Sequence, residues 1–322
     1  MKAVVQDRYG PAEEVLRLAD VPDPVVGPHD VVVRVRATSL NAADWHLSEG
    51  VPLFVRAGEG VRAPRRRCPG SDVAGAVEAV GAAVTRVRPG DEVVAWADGG
   101  GLAELVVARQ DDVVLRPGTL DPVEASALPL AGTTALQAVR HGGPLRAGDR
   151  VLVTGASGGV GAFAVQLAVA AGARVTASCR TDNVALARSL GAERVLDRTT
   201  DPVPDGGPYE RIVHVAGPTS VLAMRRALSP DGRLVLVSGD GGRLLGPLPV
   251  MLSAAAASLG SSRHLGFLVA RTTREDVETL VDEAATGSLR VVVDRTYDLS
   301  EAAAALAHVR SGRARGKVVV TV

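Results

Sequence analysis

The stretch Val151-Leu152-Val153-Thr154-Gly155-Ala156-Ser157-Gly158-Gly159-Val160-Gly161 has the residue types that grip a pyrophosphate. An apolar run turns sharply into a helical run. Glycines let the backbone bend and let phosphates approach closely, and the helix's free N–H groups and positive end hold them. A glycine-rich turn alone is weak evidence, but here a strand precedes it, a helix follows, and a second strand begins at Arg174. At the end of that second strand, a site for a free ribose 2′-hydroxyl usually carries an acid. This chain has Ala177-Ser178-Cys179-Arg180-Thr181-Asp182-Asn183, so Ser178 and Arg180 come before the first carboxylate. A guanidinium and a hydroxyl suit a 2′-phosphate, and the expected cofactor is NADPH rather than NADH. The plainer alternative makes Arg180 a solvated loop charge and Asp182 the cap of the next helix. Two cysteines, Cys68 and Cys179, stand far apart, and His46, His141, His214 and the other histidines are scattered without metal-cage spacing.

These residues need two kinds of scaffold. The chain has 322 residues, which suits two domains. Residues 1 to about 120 hold short strand-like runs, such as 31–36 and 91–96, beside the turn signals Val26-Gly27-Pro28 and Arg88-Pro89-Gly90-Asp91. From Asp121, a cap with Pro122 behind it, the rhythm becomes β–α: a helix over 125–139, strands at 151–153 and 174–177, helices at 160–171 and 184–190, and strands at 194–196, 211–215 and 234–237. That alternation predicts a parallel sheet covered on both faces. After about 270, a helix over 274–285, strands at 291–293 and 318–320 and an Ala-rich helix over 301–310 lead back to the first domain.

The composition excludes several classes. Lys+Arg and Asp+Glu are both 36, giving no electrostatic reason for a nucleic acid or anionic membrane partner. The apolar stretch 244–259 is interrupted by Gly246, Pro247 and Pro249, and is expected to be a buried loop and helix rather than a membrane span. The charged N-terminus does not resemble a signal peptide, and the two cysteines fit a reducing cytoplasm.

Several motifs in order resemble the medium-chain dehydrogenase/reductase superfamily, and within it the zinc-free quinone oxidoreductases, the zeta-crystallin-like group. They are Met1-Lys2-Ala3-Val4, the run 31–37 followed by Asn41-Ala42-Ala43-Asp44, Pro69-Gly70-Ser71-Asp72-Val73-Ala74-Gly75, Arg88-Pro89-Gly90-Asp91-Glu92-Val93, the loop 155–161, and Arg315-Gly316-Lys317-Val318-Val319. The resemblance implies an α/β fold: a Rossmann-type doubly wound sheet at 122–269, and a GroES-like β-rich catalytic domain from 1–121 and 270–322. The family's zinc enzymes need Cys where this chain has Asn41 and His where it has Ser71, and a four-Cys lobe where it has two cysteines in all. No metal is therefore expected.

The resemblance also implies hydride transfer to a conjugated carbonyl compound such as a quinone or an enone. Asn41 is the first candidate beside nicotinamide and substrate, because its amide can donate to an oxygen; the plain alternative is that it caps the short helix through Leu47. His46 stands where many relatives have tyrosine, and it is a second candidate, as a proton donor or simply as a packing residue. The family pattern adds Thr134, Ala156, Ser157, Gly158, Gly159, Val160, Ala216, Val237, Ser238 and Gly239 to the cofactor set, with Gly241 and Gly242 extending the last loop. Lys317, one of only two lysines, resembles the basic residue that reaches the cofactor from the closing segment. A homodimer is implied, through strand edges near 259–268. The run 56–67 is longer and more basic than the usual loop and is a candidate gate, anion attractor or solvated loop. Two other readings compete: a 2-enoyl-thioester reductase, which would need a basic patch for the carrier phosphate, and a low-turnover NADPH-binding sensor.

Overall fold

The computed structural model describes residues 1–217, 220–238, 242–258 and 261–322. Gly239 and Gly241, and residues 259–260 of the expected dimer edge, lie outside the described residues. The chain divides into two compact units, Met1–Thr133 with Thr272–Val322, and Thr134–Arg271. The expected boundaries were 121/122 and 269/270. The Asp121-capped helix Pro122–Ser126 packs on the strands of the first unit, so the first unit runs past it.

In the first unit, the eleven-residue strand Asp30–Leu40 is central. It pairs antiparallel with Asp72–Val80, Leu105–Arg109 and Lys317–Thr321. Beyond these lie Glu92–Trp96 and Val113–Leu115 on one side and Val293–Asp298 on the other. Alternation fixes the faces: Val31, Val33 and Val35 point into a core with Val73, Val77, Val93 and Val106, while Arg34 and Arg36 point out to Glu78 and Glu92. With aromatics at 2%, β-branched residues fill this core, which suits a pleated sheet. The tail does rejoin this unit. Its strand is Val293–Asp298 rather than 291–293, running parallel to Lys317–Thr321.

Register matters most for function. Val318 pairs with Leu40, and Ser39 pairs with Asp72. Three strands therefore bring Lys317, Asn41 and Asp72 to one end of one sheet, although Lys317 is 276 positions from Asn41.

The second unit is a six-stranded, wholly parallel sheet in the order Arg194–Asp197, Arg174–Cys179, Arg150–Thr154, Tyr209–His214, Leu228–Leu236, His264–Phe267. Numbered along the unit, this is 3-2-1-4-5-6, the doubly wound order whose topology reverses beside the first strand. The first strand is the one that feeds the glycine loop. Leu152, Leu196, Ile212, Leu234 and Leu236 form the core with Tyr209 and Met224. One expectation is corrected here. The described part of the stretch 244–259, residues 244–258, is largely exposed: Leu244 is 67% and Leu252 70% exposed, with Leu245 and Leu248 also exposed. The helix Leu248–Ser258 is apolar nearly all round, so burying Ala254, Val250 and Ala257 against the core leaves Leu248 and Leu252 outside. The edge strand His264–Phe267 falls within the strand edges near 259–268 that the resemblance implied, though no local pattern marks it.

Candidate functional site

The first unit holds a buried polar cluster. Asn41 stands at the N-cap of the helix Ala42–Glu49, in extended backbone. Asp44, at the third helical position, accepts from the Asn41 backbone N–H at 2.7 Å and from the Gly70 N–H at 3.2 Å. The acid thereby takes up a donor that the helix start leaves free. The Asn41 side chain completes the capping box towards the Asp44 backbone N–H, and its amide also reaches two charged side chains. Its Nδ2 donates to Asp72 Oδ2 at 2.9 Å, and its Oδ1 accepts from Lys317 Nζ. Asp72 Oδ2 also accepts from the Leu130 N–H at 3.1 Å, while Asp72 Oδ1 is buried with no hydrogen-bond partner among the described residues. Asn41, Asp44, Asp72 and Lys317 are all buried.

Burial governs the charges. It pushes the Asp44 carboxyl up to about 6, aided by the like charge of Asp72 and opposed by the two backbone N–H groups and Lys317. Burial also raises Asp72, against the pull of Lys317 and the Asn41 amide. Lys317 is lowered by burial and pulled back up by Asp72 and Asp44.

His46 lies two residues beyond Asp44 in the same helix. Its ring stacks on Trp45 with centroids 3.6 Å apart, and Nδ1 is 2.9 Å from the Val51 carbonyl oxygen. A carbonyl only accepts, so Nδ1 carries a hydrogen and Nε2 is the atom that exchanges a proton. The basic run 56–67 begins in a short helix, Val55–Glu59. Three of its five arginines are engaged: Arg56 over the Tyr9 ring at 4.5 Å, Arg66 with Glu59 and Asp98, and Arg67 with Asp7.

The second unit holds the glycine loop. Gly155 has φ +64°, and a Cβ there would sit 2.9 Å from the Ala216 side chain. A Cβ on Gly161 would fall 2.1 Å from the Gly155 carbonyl oxygen. Those two glycines make the turn and the close helix–strand packing. Gly158 differs. It is the N-cap of the twelve-residue helix Gly159–Ala170 at φ −84°, and a Cβ would meet only the Gly155 oxygen, at an ordinary 3.5 Å. Space is thus left open at the point where the helix start presents free N–H groups, which is the cradle a pyrophosphate needs.

Around it, the Ala156 N–H donates to the Ser178 carbonyl at 3.1 Å, and Ser157 Oγ accepts from Asn183 Nδ2 at 2.8 Å. Asn183 Oδ1 is buried with no hydrogen-bond partner among the described residues. Ser178 is buried and Arg180 half-buried at the end of Arg174–Cys179. Ala216 follows Tyr209–His214, and Val237 and Ser238 follow Leu228–Leu236. The Val237 N–H donates to His214 O at 2.9 Å, and Ser238 Oγ to Val215 O. Gly159 and Val160 open the helix, and Thr134 is buried in the helix Pro129–Arg140. Gly239 lies outside the described residues.

Each unit thus gathers its own candidates: Asn41, Lys317 and His46 in one, the loop and three further strand ends in the other. Sequence reasoning passed over Asp44, Asp72 and Asn183. Asp44 had a usable signal, an acid three residues after an N-cap. Asp72 had none, since only sheet register places it beside Asn41. Among the described residues, no group of three His, Cys, Asp or Glu side chains is placed to hold a metal ion.

Comparison with known proteins agrees with this layout. The alcohol dehydrogenase GroES-like domain family matches residues 27–118, and the zinc-binding dehydrogenase family matches residues 190–320. The chain is 35% identical to the chloroplastic quinone-oxidoreductase QR1 of Triphysaria versicolor, over 99% of this chain and 98% of that one. It is 32% identical to the mitochondrial NAD(P)H oxidoreductase RTN4IP1 of Mus musculus, over 100% and 89%. The solved quinone oxidoreductase of Coxiella burnetii superposes with a TM-score of 0.89 at 28% identity, covering 100% and 99% of the two chains. With its parallel 3-2-1-4-5-6 sheet, its GroES-like strands and these relatives along its whole length, the chain belongs to the medium-chain dehydrogenase/reductase superfamily, in the quinone oxidoreductase branch, and is an NAD(P)H oxidoreductase.

Proposed function

We propose that this protein is a zinc-independent, NADPH-dependent reductase that delivers hydride to a quinone or an α,β-unsaturated carbonyl. The observation that carries the substrate side is the buried pair of donors, Asn41 Nδ2 and Lys317 Nζ, held together in the first unit. When bound, NADPH supplies the hydride. Negative charge then develops on the substrate oxygen, and the remaining N–H groups of Asn41 and Lys317 are suited to stabilise it in a buried setting. His46 Nε2 is the candidate proton donor in its charged form.

In the second unit, Ala156, Ser157, Gly158, Gly159 and Val160 are assigned to the pyrophosphate. Thr134, Ala216, Val237, Ser238 and Gly239 are assigned to the rest of the cofactor. Ser178 and Arg180 support NADPH, because no carboxylate precedes Asp182 at that strand end. Zinc independence rests on side-chain chemistry: Asn41 and Ser71 stand where zinc enzymes of the family use Cys and His. The thioester reading stays the alternative, since an enoyl reductase is among the relatives, although the run 56–67 spends three of its five arginines on Tyr9 and on Asp and Glu partners.

The test is titration with NADPH and NADH, followed by absorbance of the reduced nicotinamide while a panel of quinones and enones is added, with and without a chelator. Preferred NADPH binding and chelator-resistant oxidation by a panel member are the expected results. Arg180→Ala should narrow the preference for NADPH over NADH by about tenfold or more, the scale of one charge-assisted contact. Binding without oxidation by any member, enoyl thioesters included, would leave the sensor reading in its place.

A further inference from the structure

Asp72 is a buried carboxylate to which the reading above gives no role. It opens the strand Asp72–Val80 and is 1% exposed. A buried charge of this kind is costly unless it is paired and hydrogen-bonded, yet Asp72 Oδ1 has no hydrogen-bond partner among the described residues. What its other oxygen does explains its presence. A carboxylate only accepts, and an ammonium only donates. Between Asp72 and Lys317, the Asn41 amide has one satisfactory orientation, nitrogen to Asp72 and oxygen to Lys317. One Nδ2 hydrogen and the remaining Lys317 hydrogens are left over from these bonds. Either charge alone still favours this orientation; lose both and the amide can reverse, presenting an oxygen where a donor stood.

Asp72 and Lys317 also support one another electrostatically. The charged groups facing Lys317 are Asp72 from its strand and Asp44 from the helix Ala42–Glu49. The neighbouring strand Val293–Asp298 turns Asp294 to His308 and Arg295 instead, and Asp30–Leu40 sends Arg34 and Arg36 to Glu78 and Glu92.

We propose that Asp72 is a positioning residue, which fixes the polarity of the Asn41 amide and keeps Lys317 protonated so that both present N–H groups to the substrate oxygen. The proposal rests on the reductase reading for its purpose, but not for its first test.

The chain has two lysines, and Lys2 has a half-exposed side chain, 55% accessible. Lysine labelled with 13C at Cε therefore yields two side-chain signals, one of them the buried Lys317. In Asp72→Asn, that signal should titrate about one pH unit or more lower than in the wild type, because a facing negative charge is gone. This reads the chain alone, so it stands or falls separately from a failed substrate panel. With a substrate in hand, Asp72→Asn should lower kcat about 10–100-fold, the order seen when one donor to a developing oxyanion is lost. The alkaline limb of the kcat profile should move down by the same interval as the lysine signal, with the KM for NADPH changed less than kcat.

If the single variant does not fold, the charge-balanced Asp72→Asn/Lys317→Met double variant decides. Its kcat should fall about tenfold or more below that of Lys317→Met, since Asp72 still orients the Asn41 amide in the single variant and is gone from the double. An unmoved Lys317 titration, or a double variant no slower than Lys317→Met, would overturn the proposal.

Discussion

Asp44 shows how one buried side chain makes stability depend on pH. Its carboxyl is held at about 6 by burial, against an ordinary 3.8. Between those values the native chain keeps a proton that the unfolded chain has released. Asp44 therefore favours folding fully below about pH 4, and that contribution is lost as pH rises through about 6. The Asp44→Asn variant lacks this dependence. Thermal melts of both proteins from pH 7.5 to 4.5 should show the wild type gaining on the variant as pH falls; a difference in Tm that stays constant across the range would reject the assignment. At this scale the sequence was half legible. Asn41 and Lys317 could be picked out by motif and by the rarity of lysine. That Lys317 bonds to Asn41, and that Asp72 takes the other end of the same amide, depends on the pairings Val318–Leu40 and Ser39–Asp72, which no local pattern reveals.

At the scale of the element, the turn from Arg150–Thr154 into Gly159–Ala170 separates two duties that its glycines share in sequence. Gly161 serves the fold. An added methyl would lie 2.1 Å from the Gly155 oxygen and 2.8 Å from Ala156 Cα, both backbone, so the strand and helix would have to part. Gly158 serves the ligand. Its backbone is one any residue adopts, and its side-chain direction is open. Gly161→Ala should therefore lose several kcal/mol of stability, about what overpacking against backbone costs. Gly158→Asp should melt within a few degrees of the wild type yet lose nucleotide binding about 100-fold or more, because a carboxylate would occupy the space and repel the pyrophosphate. Calorimetric melts and NADPH titration of the two variants check this; undiminished affinity in Gly158→Asp would remove the loop from the site. The strand–turn–helix itself was plain in the sequence, because its apolar run, glycines and helical period are all local. The last strand, His264–Phe267, was not: four residues with a histidine and a glycine among them carry no alternation, and only pairing with Leu228–Leu236 makes them a strand.

At the scale of the whole molecule, that strand leaves a problem for the second unit to solve. His264–Phe267 is the outer edge of the six-stranded sheet, where Ser258 Oγ donates to the Leu265 carbonyl oxygen and accepts from the Leu265 N–H. In the same unit Leu244, Leu245, Leu248, Leu252 and Val269 are exposed, and Leu248 and Leu252 lie four apart on one face of their helix. An edge strand and so wide an apolar face in one unit are more than a monomer ordinarily leaves to water. A second copy of the chain is the occupant that fits both. Packing of this edge and its helix face against their own copy would be self-complementary, as a two-fold interface requires. Helix faces beside that edge would be covered by the same contact. The expected outcome is a dimer by light scattering at micromolar concentration, converted to a monomer by Leu248→Glu/Leu252→Glu. Because both leucines are exposed in the single chain, the double variant should fold with little loss of its own stability. A wild-type protein that scatters as a monomer would refute the assembly. A dimer that survives both charges would place the contact elsewhere on the molecule.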